Sequence, residues 1–231
     1  MFKFHYFVFF FILSSVFVSC DQGGSDKEEF FTPQIQATIT RSSLDPTKAY
    51  VQDVVLYWVS SYTNTTSDGI YGAQVQVDNI ICTPTGSLQN VYDSSEEMVT
   101  SVGKTHTLTV VIDGITYISK LSMPGVFAPV CLSTCAQSDP LPITYSFSDN
   151  LPSDIVSVLA YRSGTTSGEN YNDEFVPAIS GDYKFPVGTF SVGNDRFIDM
   201  LMSSKSTIPG ATTDSYFCVT QIHQWTVDIT N

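Results

Sequence analysis

The sequence predicts an all-β protein, arranged as two β-sandwiches in series. Three observations carry that expectation. Apolar and polar residues alternate with a period of two from Pro33 onward, as in QIQATIT, where Ile35, Ala37 and Ile39 alternate with Gln36, Thr38 and Thr40. Charged residues make up only 14% of the chain, while Thr, Ser, Val, Ile and Tyr abound, which suits pleated, half-buried surfaces. Turn signals recur roughly every ten residues, and no stretch before Met123 reads as an amphipathic helix.

The first element is not part of the fold. Residues 1–19, MFKFHYFVFFFILSSVFVS, place Lys3 and His5 before an apolar and aromatic run from Tyr6 to Val18, with no acidic residue until Asp21. That is the outline of a signal peptide, and the run falls short of the about 20 apolar residues of a spanning helix. Ordinary cleavage after Ser19 would put bulky Phe17 where a small residue is needed. Cleavage after Cys20, yielding a plain secreted protein, is the alternative. Phe17-Val18-Ser19-Cys20 resembles the bacterial lipobox, and the resemblance implies that Cys20 is lipidated and becomes the new N-terminus. Two or three acyl chains, at about 0.8 kcal/mol per buried CH₂, would hold the chain stably to a membrane.

Residues 20–32, with the acidic stretch DQGGSDKEEFF, read as a flexible tether. Asp21, Asp26, Glu28 and Glu29 are similar to the acidic pattern behind the lipidated cysteine of surface-exported lipoproteins in Bacteroidetes-like envelopes. The implied address is the bacterial cell envelope, at the outer membrane with surface exposure. In other Gram-negative bacteria an Asp here favours inner-membrane retention instead.

Residues 33–127 form the expected first sandwich. DVVLYWVSSY is rich enough for a strand buried on both faces, TNTTSDG is a turn-rich loop, and GAQVQVD alternates again. In KTHTLTVVIDGITYISKLSM, Asp113-Gly114 lies between two β-rich runs and predicts a hairpin with a type I′ turn. Residues 128–142, rich in Pro and Cys, are the expected linker. Residues 143–231 form the second sandwich, with strands at ITYSFS and IVSVLAYR. NDRFIDMLMSSK fits either a strand or a short helix, and SYFCVTQIHQWTVDIT reads as a strand pair. One larger sandwich or barrel is the alternative architecture.

GIYGAQVQVDN followed by GKTHTLTVVIDGITYISKLSMP resembles the Ig-like modules of bacterial envelope lipoproteins. Asp214-Ser215-Tyr216-Phe217-Cys218 is similar to the immunoglobulin strand with a tyrosine two residues before a cysteine. That resemblance implies a tyrosine corner at Tyr216 and a bridged Cys218.

Composition narrows the chemistry. Removing residues 1–19 takes away Lys3, leaving nine basic against 23 acidic side chains, a net of −14. Such a chain is repelled by nucleic acid, which is excluded as a partner. Cys82, Cys131, Cys135 and Cys218 are an even set in an exported chain and predict two disulfides, with all three pairings open. Zinc is the rival reading, approached only by Cys131-x₃-Cys135. No P-loop, G-x-S-x-G, H-E-x-x-H or G-x-G-x-x-G motif occurs. His106 and His223, the two histidines of the mature chain, read as structural or surface residues. Asn64-Thr65-Thr66 matches the N-glycosylation pattern, a chance match in a bacterial chain.

ENYNDE offers calcium-type oxygens at Glu169, Asn170, Asn172, Asp173 and Glu174, but without EF-hand spacing it reads as a solvated acidic loop. The expectation is therefore a protein without cofactor or resident metal. It would be a non-catalytic, lipid-anchored binding, adhesion or scaffold module that meets an unknown protein or glycan partner. A carbohydrate-binding accessory lipoprotein is the alternative, with Tyr50, Tyr57, Trp58, Tyr62 and Tyr71 as candidate sugar-stacking residues. An envelope hydrolase with converging carboxylates comes third.

Overall fold

The structure, a computed structural model, describes residues 31–60, 66–85, 88–162 and 171–231. The lipobox-like segment with Cys20, most of the tether, Tyr62, Asn64, Thr65, Glu169 and Asn170 lie outside the described residues. The first half holds β1 (Phe31–Arg41), β2 (Lys48–Ser60), β3 (Thr66–Gly69), β4 (Gln74–Val77), β5 (Ile80–Thr85), β6 (Leu88–Asp93), β7 (Glu97–Val99), β8 (Thr105–Ile112) and β9 (Ile115–Ser122). The second holds β10 (Phe127–Cys131), β11 (Thr134–Ala136), β12 (Leu141–Phe147), β13 (Ile155–Arg162), β14 (Tyr171–Phe175), β15 (Ser180–Phe185), β16 (Gly193–Thr207) and β17 (Tyr216–Thr230). The protein is all-β, with a single 3₁₀ turn at Ser148–Asn150 among the described residues.

Alternation explains most of these strands. Along β1, Ile35, Ala37, Ile39 and Arg41 are buried while the residues between them are not, so a charged side chain continues an apolar row. Asp113 and Gly114 both carry positive φ, 49° and 79°, and Ile112 faces Ile115 across the hairpin, the type I′ geometry expected of Asp-Gly.

One large sheet organises the molecule. Its order is β14-β13-β16-β17-β1-β2-β6-β5-β4-β8-β9, with β3 and β7 on β2 and β11 on β17. β1 runs parallel to β17, which brings the first and last described strands side by side. At one end the sheet curls so that β9 meets β16, where Ser119 Oγ donates to Thr207 O at 2.8 Å. At the other end a separate sheet, β10-β12-β15, contributes Phe127, Ile143 and Phe185 to a core shared with β13, β16 and β17.

Three sequence readings meet the structure here. SYFCVTQIHQWTVDIT is one continuous strand rather than a pair, because Phe217, Val219, Gln221, His223, Trp225, Val227 and Ile229 fall on one face with no turn residue among them. NDRFIDMLMSSK resolves as β16, with Ile198, Met200 and Met202 buried at every second position. Segment 128–142, expected as a linker, carries β10 and β11 and is built into the sheets.

The long β16–β17 hairpin spans two hydrophobic clusters. The first gathers Ile35, Leu56, Val77, Leu108 and Met123 with Phe217 and Val219 of β17. The second gathers Phe127, Ile143, Val158 and Phe185 with Val227 and Ile229 of the same strand. Residues Phe31 to Asn231 consequently form one compact unit.

Between the clusters the interior turns polar. Arg41, 1% exposed, donates from Nη2 to Pro124 O at 2.7 Å and from Nη1 to Gly125 O at 2.9 Å. Gln221, equally buried, receives the Phe127 amide at Oε1 and donates from Nε2 to Phe127 O, at 3.3 and 3.0 Å. Gly125 N donates to Leu151 O at 2.7 Å. The crossing from first to second half is thus gripped by side chains of β1 and β17, which satisfy backbone groups the ladders leave unpaired.

Candidate functional site

The separate sheet covers only one face of β13, β16 and β17. On the face opposite that sheet, register aligns Tyr161 with Phe197 and Leu159 with Asp199 and Gln224. The Tyr161 and Phe197 rings lie 5.5 Å apart and within 13° of parallel, both half-buried. Beside them Asp199 is only 8% exposed although it points away from the core. Gln224 Nε2 donates to Asp199 Oδ1 and to the Tyr161 hydroxyl oxygen, both at 2.9 Å. Burial, the Asp199 charge and a hydrogen bond to Asp199 raise the Tyr161 pKa, so the phenol keeps its proton. Leu159 and Ile222, 39% and 44% exposed, flank the cluster.

This arrangement offers two ring faces next to a carboxylate and an amide fixed by each other. Two ring faces and two polar groups are the chemistry of stacking and hydrogen bonding. Sequence reading missed it because Phe197 and Asp199 sit in the segment that fits strand or helix equally, and only the strand places them beside Tyr161.

A groove of about 490 Å³ opens beside the crossing, between β9, the segment before β13 and the end of β16. β13 pairs with β16 only as far as Ser203, and among the described residues no strand pairs with that edge of β16 at Ser204–Ser206. Asp154 fills in, its Oδ2 accepting from Lys205 N at 2.8 Å. Lys120 and Lys205 line the groove, and neither has an acidic ion-pair partner among the described residues. Lys205 Nζ instead sits 5.1 Å from the centre of the Tyr216 ring.

The residues singled out from sequence are dispersed. Asn172, Asp173 and Glu174 are exposed on β14, where alternation sends Asp173 to the opposite face from its neighbours. The Tyr183 hydroxyl donates to Asp173 at 2.9 Å and the Ser157 hydroxyl to Glu174 at 3.0 Å, so these oxygens serve the sandwich rim and do not converge. Among the described residues no three His, Cys, Asp or Glu side chains gather for a metal. Tyr50 bonds Glu97 at 3.2 Å, Trp58 packs on the first cluster, Tyr57 is half-buried and Tyr71 is exposed. Among the described residues the stacked ring pairs lie instead in the second half.

His106 is buried, with Nδ1 2.8 Å from Asp78 Oδ2 and Nε2 without a partner among the described residues. His223 stacks on Trp225, and its Nε2 meets Gln221 Nε2 at 2.8 Å. Burial lowers its pKa, so the ring favours the neutral state.

Cys82, Cys131, Cys135 and Cys218, expected to form two disulfides, are unbridged in this structure. Cys82 faces the first core and burial pushes its thiol up to about 11. Cys218 is on the opposite face of β17 from Phe217 and Val219, 3.4 Å from the Thr38 hydroxyl. Cys131 and Cys135 flank the corner between β10 and β11.

No protein-family model matches the chain, and no curated protein matches it.

Proposed function

We propose that this chain is a non-catalytic, lipid-anchored protein of the bacterial cell envelope that presents a rigid β-body to a partner. The observation that carries the reading is the face of β13, β16 and β17 opposite the separate sheet. There an aromatic and apolar surface is held on paired strands, with its carboxylate and amide already fixed by each other. Rigid strands lower the ordering cost of binding. The tether behind Cys20 supplies the reach from a membrane.

A carbohydrate partner is the second reading, and the Tyr161–Phe197 pair beside Asp199 and Gln224 favours it. Rings present apolar faces to the C–H face of a sugar, while the carboxylate and amide take its hydroxyls.

Two experiments test the proposal. Metabolic labelling with a clickable fatty acid in a bacterial host should tag the wild type and not Cys20→Ala; equal absence of label in both would overturn lipid anchoring. Titration with a panel of soluble neutral and acidic polysaccharides should show binding that Tyr161→Ala weakens at least tenfold. Binding unchanged by that substitution would remove the face from the proposal.

A further inference from the structure

We propose that Cys131 and Cys135 form the one disulfide of the mature chain, and that Cys82 and Cys218 remain thiols. Bridged cysteines need Cα atoms about 4.4–6.8 Å apart, and the strand ladders test each pairing. Cys135 lies opposite Ile229 on β17. Cys218 is eleven residues earlier on that strand, roughly 36 Å away at about 3.3 Å per residue. Cys131 packs on the second cluster beside Cys135, so it too is remote from Cys218. Cys82 packs in the first cluster, apart from both. Cys82 and Cys218 face away from each other, one into a core and the other onto the outer face of β17 beside Thr38.

One pair survives. Cys131 ends β10 and Cys135 sits in β11, separated by Leu132, Ser133 and Thr134 at a corner where Ser133 O accepts the Asp228 amide at 2.9 Å. Both side chains pack against the second cluster. The proximity is also felt electrostatically, since the Cys135 charge adds to burial in raising the Cys131 pKa. β10 belongs to the separate sheet and β11 to the large one, so the bond would staple the two layers at their rim.

The step is an ordinary exchange. The more open Cys135 loses its proton to solvent and, as thiolate, attacks the disulfide of an oxidoreductase or of oxidised glutathione, releasing one thiolate that takes up a proton and leaving a mixed disulfide on Cys135. Cys131 then displaces the second thiol. Two protons and two electrons pass from the cysteines to the oxidant. Burial raises the pKa of both thiols, so at neutral pH the exchange runs through a small thiolate fraction and is slow without a catalyst.

The bond in cells rests on the proposed export, but the pairing does not. The full-length protein is to be recovered from the envelope and, separately, incubated with oxidised glutathione. Each sample is alkylated in denaturant without reductant and digested with trypsin. Cys131 and Cys135 share one tryptic peptide, residues 121–162. The expected result is that peptide two mass units light and unalkylated in both samples, with Cys82 and Cys218 alkylated. Alkylation of Cys131 and Cys135 after glutathione treatment, or a bridge to Cys82 or Cys218, overturns the pairing. A bridge formed in glutathione but absent from envelope material supports the pairing and counts against the oxidising address. In Cys131→Ser, Cys135 should instead retain a glutathione adduct, which a corner unable to close would also show in the wild type.

Discussion

Replacing Arg41 by methionine tests whether the polar crossing holds the two cores together. The substitution keeps an unbranched chain in the apolar row of β1 but removes the donors to Pro124 O and Gly125 O. Hydrogen bonds from a charged group contribute about 1.5–3 kcal/mol each, so two lost bonds amount to about 3–6 kcal/mol. Part returns, because a guanidinium with no ion-pair partner among the described residues no longer has to be buried. Burial pulls the Arg41 pKa down to about 10, the direction expected of a charge taken from water. A net loss of about 2–4 kcal/mol remains. Urea unfolding followed by circular dichroism reads it as a midpoint about 1 M lower, for a slope of about 2–3 kcal/mol per M. Arg41→Lys should fall between, since an ammonium lacks the fork that spans both carbonyls. A loss under about 1 kcal/mol for Arg41→Met would refute the reasoning, because burying two unpaired carbonyls costs more than that.

The remaining perturbations probe the same crossing. A Cβ on Gly125 would collide with the backbone oxygen of Ser148 and come within 2.9 Å of Leu151 O. Gly125→Ala should therefore cost at least about 3 kcal/mol, read by urea midpoint, and a neutral result would mean the loop shifts freely. His223 binds protons less readily folded than unfolded, so its contribution to stability is full above about pH 6.5 and is lost as pH falls below that value. Stability measured from pH 7 to 5 should decline less steeply in His223→Gln than in the wild type; parallel curves would show that the ring titrates alike in both states.

Period-two alternation made most strands legible, and Asp113-Gly114 made one hairpin legible to the turn type. What the period could not show is partnership. β1 pairs in parallel with β17, and a parallel partner from the far end of a chain leaves no local signal. Arg41 hides for a related reason. It reads as the polar end of a strand until Pro124 and Gly125 arrive from more than eighty residues away. The site face was half legible: IVSVLAYR reads as a strand and places Tyr161, but its neighbours Phe197 and Asp199 lie in a stretch whose apolar spacing serves helix and strand alike. The even cysteine count left all pairings open, because a count says nothing about which face of a strand each thiol takes.

The same hairpin that escaped local reading determines how the molecule should unfold. β17 contributes Phe217 and Val219 to one cluster and Val227 and Ile229 to the other, and β16 runs beside it throughout. Melting either cluster alone would fray half of a continuous ladder and bare the buried Arg41 and Gln221 contacts. The two cores should therefore unfold in one cooperative step. The two tryptophans report on this separately, since Trp58 packs on the first cluster and Trp225 on the second. Trp58→Phe and Trp225→Phe variants, each followed by the fluorescence of its remaining tryptophan, should each give an unfolding midpoint that coincides with that of circular dichroism on the same variant. A gap of more than about 0.5 M urea between the two signals within either variant exceeds the error of such midpoints. It would mean that the hairpin yields in its middle, and that the two halves are separate folding units in spite of the strands they share.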